Sequence, residues 1–113
     1  MKKALIALTL CTALAAPVTT FALYGDETAG GEVDVNSDYA SSKTEIAGGG
    51  TWKHGFSGFD VYSHYNHTSK THRATVKNFS VTERDTWRSS SYGYSKAELP
   101  STLIGNKAYW ATK

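Results

Sequence analysis

The sequence predicts an all-β protein: a small antiparallel β-sandwich preceded by a cleaved signal peptide and a flexible acidic arm. Three observations carry that expectation. From Thr51 onward, aromatic and β-branched residues alternate with polar ones at period two. No stretch of this region sustains the apolar spacing of a helix. At Gly48-Gly49-Gly50 the composition changes from acidic, Gly- and Ser-rich sequence to aromatic sequence.

The elements follow in chain order. Met1-Lys2-Lys3 is a basic start, and "ALIALTLCTALAAPV" is an apolar run short of the roughly 20 residues a membrane span needs. "TTFA" then places small residues where a signal peptidase reads. Residues 1–22 are therefore read as a secretory signal cut after Ala22, which makes the protein secreted. Cys11 falls inside that segment, so the mature chain has no cysteine. Disulfides, a thiolate metal site and a cysteine nucleophile are excluded with it.

Residues 23–50 hold six carboxylates (Asp26, Glu27, Glu32, Asp34, Asp38, Glu45) against Lys43, a net charge of −5. They contain few large apolar groups to offset ordering entropy, so the segment reads as a flexible arm or pro-segment with Gly48-Gly49-Gly50 as a linker.

Residues 51–113 form the expected sandwich domain. "TWKHGF" puts Trp52, His54 and Phe56 on one face. "FDVYSHYN" sets Phe59, Val61, Ser63 and Tyr65 against Asp60, Tyr62, His64 and Asn66. "THRATVKN" sets His72, Ala74, Val76 and Asn78 against Thr71, Arg73, Thr75 and Lys77. "DTWRSSSYGYS" and "KAYWAT" read as two further strands, with "ELPSTLIGN" a loop between them. A body of this size buries roughly 60% of its unfolded surface, so pairing with a second copy as a homodimer is a natural way to gain core. It carries nine Lys/Arg against four acids, a net +5, which suits an anionic partner outside the cell. Export argues against nucleic acid. Past residue 22 no apolar run is long enough to span a bilayer as a helix.

The chemistry concentrates in "YSHYNHTSKTHRATV", Tyr62 to Val76, which holds His64, His67 and His72, with His54 just upstream. A hairpin around "NHTSK" would pair Tyr65 with Thr71 and set His64 across from His72 on one face. Three readings stand side by side. Converging imidazoles could ligate zinc, although Lys70 and Arg73 would repel the cation. A Ser-His-Asp hydrolase has the residue types but lacks a nucleophile-elbow signal. A recognition face would use imidazole hydrogen bonds, tyrosine or tryptophan stacking and the Lys70 and Arg73 cations against a sugar phosphate.

"GTWKHG" (Gly50 to Gly55), "VYSHYNH" (Val61 to His67) and "SKTHRATV" (Ser69 to Val76), in that order behind a secretory signal, closely resemble the lactococcin 972 family of bacteriocins. The resemblance implies a small secreted β-sandwich that self-associates. It further implies an antibacterial protein that binds the cell-wall precursor lipid II and blocks septum formation in related Gram-positive cells, without forming pores. Such a protein is not an enzyme and needs no cofactor. Trp52, Tyr62, Tyr65, His67, Lys70, Thr71 and His72 occupy the shared motifs. Their chemistry, with that of Arg73, makes Trp52, Tyr62, Tyr65, His67, Lys70, His72 and Arg73 the expected contacts to lipid II or another anionic envelope component. A non-toxic module that binds cell-wall glycan is the alternative.

Overall fold

The computed structural model describes residues 28–37 and 42–113. The expected signal peptide and its cleavage at Ala22 lie outside them. The described chain is two four-stranded antiparallel sheets packed face to face. Its strands are β1 (Ala29–Asp34), β2 (Lys43–Ala47), β3 (Gly50–Ser57), β4 (Asp60–Asn66), β5 (His72–Lys77), β6 (Thr82–Arg84), β7 (Ser95–Pro100) and β8 (Lys107–Thr112), with a short 3-10 turn at Val35–Ser37. The order is β1-β8-β5-β6 in the first sheet and β2-β3-β4-β7 in the second. This is the expected antiparallel sandwich.

The acidic segment corrects the expectation of a flexible arm over residues 23–50, because it supplies one strand to each sheet. Ala29–Asp34 pairs residue for residue with β8, from Ala29↔Thr112 to Asp34↔Lys107. Lys43–Ala47 pairs with β3 from Lys43↔His54 to Ala47↔Gly50. Few apolar residues suffice because the neighbouring strand provides the hydrogen bonds, and among the described residues of this stretch only Val33 and Val35 of the large groups enter the core. The glycines are not a linker. Gly48 and Gly49 have φ of 60° and 85°, the left-handed pair that a two-residue type I′ hairpin turn demands.

Period two holds along the strands. On β4, Val61, Ser63 and Tyr65 are buried while Asp60, Tyr62, His64 and Asn66 stay partly open. On β5, His72, Ala74 and Val76 point inward. The expected hairpin of β4 with β5 does not form. β4 pairs with β3 and β7, β5 with β8 and β6, so residues 67–71 cross from one sheet to the other. Farther on, residues 85–94 are largely irregular, and the strand starts at Ser95, running into the "ELP" expected as loop. β7 is an edge strand, so Pro100 at its end removes no interior ladder bond.

Trp52, Tyr65, Val61, Val76, Trp110 and several alanines fill the interior. Each large side chain so buried contributes roughly 1.5–3 kcal/mol. Polar groups tie the sheets together as well. Ser63 Oγ on β4 donates to the Tyr109 carbonyl on β8 at 2.8 Å. Ser95 Oγ on β7 accepts from the Ala74 amide on β5 at 2.8 Å and donates to Asp85 Oδ2 at 2.6 Å.

Candidate functional site

The seven residues expected to touch ligand divide by burial. Trp52 and His72 are fully buried, as is Tyr65, and His67 is 5% exposed. Direct ligand contact by these four is corrected, since each is committed inside the protein. Trp52 Nε1 donates to Ser63 Oγ at 2.9 Å. Tyr65 donates its phenol hydrogen to the Ala47 carbonyl at 2.7 Å, and burial raises its pKa. His67 shapes the crossover: its Nδ1 accepts from the amides of Ser69 and Lys70, so its Nε2–H donates to the Gly48 carbonyl at 3.1 Å. His72 sets Nδ1 2.9 Å from the Lys70 carbonyl and Nε2 2.7 Å from the Gly93 carbonyl. His54, buried like them, holds Glu45 Oε2 at 2.6 Å.

The histidine cluster therefore does not converge. His64 faces outward on the second sheet while His72 faces inward from the first, because β4 and β5 lie in different sheets. Among the described residues no group of three His, Cys, Asp or Glu side chains could hold a metal ion.

Tyr62, Lys70 and Arg73 remain accessible. Arg73 lies on the outer face of the first sheet, its guanidinium 4.1 Å from the Trp87 ring centroid; the Lys113 ammonium is 4.9 Å from the same ring. Lys70 projects from the crossover loop. Tyr62 belongs to the opposite side of the sandwich, and it marks the most organised polar surface there.

Across that outer face the register places Lys53 beside His64 and His64 beside Lys96, a row of three basic side chains on β3, β4 and β7. Directly paired side chains on neighbouring strands stand about 5 Å apart. Tyr62 packs on His64 with ring centroids 4.7 Å apart, and the Lys53 ammonium lies 4.9 Å from the Tyr94 ring centroid. Glu98 accepts at 3.2 Å from His64 Nε2. Burial lowers the His64 pKa, with Lys96 and Lys53 adding to the effect and Glu98 opposing it. The row can meet a multiply charged oxyanion, and Tyr62 and Tyr94 offer flat faces to a sugar ring. Lys53, His64, Tyr94, Lys96 and Glu98 extend the set read from the motifs. Alternation along β4 placed His64 with Tyr62, whereas the β7 partners depend on a register that no local pattern displays.

A family model described as "Bacteriocin (Lactococcin_972)" matches residues 48–110. That span is more than half of the 113-residue chain. The chain belongs to this family of bacteriocins. No curated protein and no solved structure matches it. The matched span of this bacteriocin starts at the β2–β3 turn and ends within β8, so it includes the whole Lys53–His64–Lys96 row. No helix among the described residues is long and apolar enough to cross a membrane.

Proposed function

We propose that this bacteriocin is secreted, binds lipid II and thereby blocks septum formation in related Gram-positive bacteria, with no enzymatic step and no pore. The observation that carries the reading is the Lys53–His64–Lys96 row flanked by Tyr62 and Tyr94. Lipid II presents a pyrophosphate beside amino-sugars. Two ammonium groups and an imidazole suit the pyrophosphate, and two phenol rings suit the sugars. Cleavage after Ala22 belongs to the same reading, as does pairing into a homodimer. Sedimentation velocity measures the latter.

The test is a killing assay with purified lipid II added to the protein. Protection of the cells at near-equal molar amounts is the expected result, and Lys53→Gln with Lys96→Gln should weaken both killing and lipid II binding. Undiminished killing in excess lipid II would refute the reading, and protein that coats cells without slowing division would make it a glycan-binding module.

A further inference from the structure

Three connections at one end of the sandwich carry large apolar side chains into solvent. Phe59, in the β3–β4 turn, is 92% exposed, and Leu103, in the β7–β8 loop, is 90% exposed. Ile104 beside it and Phe79 and Val81, in the β5–β6 turn, are exposed as well. The connections are knit together: the Ser101 amide and hydroxyl both donate to the Phe59 carbonyl at 2.8 Å, and the Phe79 amide donates to Thr102 Oγ1 at 2.9 Å. Beneath them fully buried Asn106 accepts from the Thr102 amide at 2.9 Å and donates its own amide to Asn36 Oδ1 at 2.9 Å. The backbone under these side chains is thus held in place by hydrogen bonds that present them to solvent. Exposed apolar groups gathered at one place mark a contact surface.

We propose that this end of the sandwich is a membrane-seating tip, which inserts Phe59, Phe79, Leu103 and Ile104 into the headgroup region of an anionic lipid bilayer. Two features select a bilayer over a second copy of the chain. Five side chains on separate loops offer a few hundred Å² of apolar surface, below the about 800 Å² each partner brings to a stable protein interface. The described residues of the sandwich, β1 and β2 included, carry ten Lys/Arg against seven Asp/Glu, a net positive charge of the sign that draws a protein to an anionic surface. The proposal deepens the lipid II reading. The His64 row lies four residues along β4 from the turn at Asp60, about 13 Å at strand rise. A tip sunk about 5–10 Å into the interface holds that row just above it, where a lipid-linked sugar phosphate stands.

The test uses the full chain and vesicles that contain no lipid II, so it succeeds or fails independently of that ligand. Co-sedimentation is measured with phosphatidylcholine vesicles and with vesicles that also contain phosphatidylglycerol, for the unaltered protein and for Phe59→Ser with Leu103→Ser. Both positions are almost wholly exposed, and an unchanged thermal unfolding midpoint verifies the fold of the variant. The expected result is binding that is stronger with phosphatidylglycerol and falls at least about tenfold in the double variant, because two large apolar side chains no longer enter the interface. Failure of the unaltered protein to bind, or equal binding by the variant, overturns the tip. So does a dimer of the unaltered protein that the two substitutions convert to monomer, which would make a second copy the occupant.

Discussion

Trp52 Nε1 donates a 2.9 Å hydrogen bond to Ser63 Oγ, and the same hydroxyl passes its own hydrogen to the Tyr109 carbonyl of the facing sheet. Both residues are completely buried. One hydroxyl thus satisfies an indole and a carbonyl that belong to different sheets. Ser63→Ala strips the buried indole N–H of its acceptor and breaks the link to the Tyr109 carbonyl, at almost unchanged volume. The expected cost is about 1–3 kcal/mol of folding stability, read from urea unfolding, because a buried polar group stripped of its partner keeps its full desolvation penalty. Lipid II affinity of the folded variant should not change, since Ser63 lies beneath the binding face.

His72 tests the division between core and surface. It is fully buried, with carbonyls at both ring nitrogens and the Tyr65 ring edge-on at 6.0 Å. His72→Ala opens a cavity and removes the hydrogen-bonded imidazole between the Lys70 and Gly93 carbonyls, so a loss of about 2–4 kcal/mol is expected. Killing by this variant should fall in step with its folded fraction and recover on cooling. Tyr62→Ala should instead reduce lipid II binding while the unfolding midpoint stays close to that of the unaltered protein.

His64 gives the proposed binding face a pH dependence. Its pKa in the folded protein sits below 6.5, chiefly because burial disfavours the imidazolium. Between that value and 6.5 the unfolded chain holds more protons, so stability rises with pH across the window and is lost as pH falls through it. Ligand acts in the opposite sense. An oxyanion between Lys53 and Lys96 favours the charged ring, so lipid II binding should tighten from about pH 7.5 to about pH 5.5. His64→Gln should flatten both profiles, as measured by calorimetry and by urea midpoints over the same range. A stability curve still sloping equally in His64→Gln would assign the effect to another group.

Asp85 sets the acid limit. Burial works to raise its pKa, yet hydrogen bonds from Arg88 at 3.0 Å and Ser95 at 2.6 Å, with the Thr86 amide, bring it below the ordinary 3.8. A depressed carboxylate contributes stability that is present above 3.8 and disappears as pH drops through the folded value. Because Ser95 also accepts from the Ala74 amide, Asp85 braces the joint between the sheets. Asp85→Asn should lower stability near neutral pH by about 1–3 kcal/mol and shrink the difference between the two proteins in acid. Acid unfolding followed by tryptophan fluorescence reads both effects.

Much of this was legible in the sequence. Alternation along "VYSHYN" assigned Val61, Ser63 and Tyr65 to one face and Tyr62 and His64 to the other, and the structure buries the first set. What local pattern could not display was partner choice. Joining β4 to β5 in one hairpin or across two sheets leaves the alternation of each strand intact, yet it decides whether His64 and His72 meet. The same blindness affected residues 29–34 and 43–47. Their sequence is weakly apolar, and their order comes from the β8 and β3 backbones they pair with, partners distant in sequence or hidden behind a glycine turn.

Those two strands lead to the last prediction, which concerns the chain's beginning. A protein starting at Gly50 would lack the outer strand of each sheet. It would expose the β8 edge now covered from Lys107 to Thr112 and the β3 edge from Gly50 to His54. It would also lose the Ala47 carbonyl that receives the Tyr65 phenol, the Glu45 carboxylate beside His54, and Val33 and Val35 from the core. Uncovered strand edges template association between chains, so this shortened protein should aggregate or stay unfolded and should not kill. A chain starting at Leu23 retains both strands and should fold with a cooperative thermal transition. N-terminal sequencing of exported material decides between them: a start at or before Ala29 is expected, and an active product beginning at Gly50 would show that β1 and β2 are dispensable.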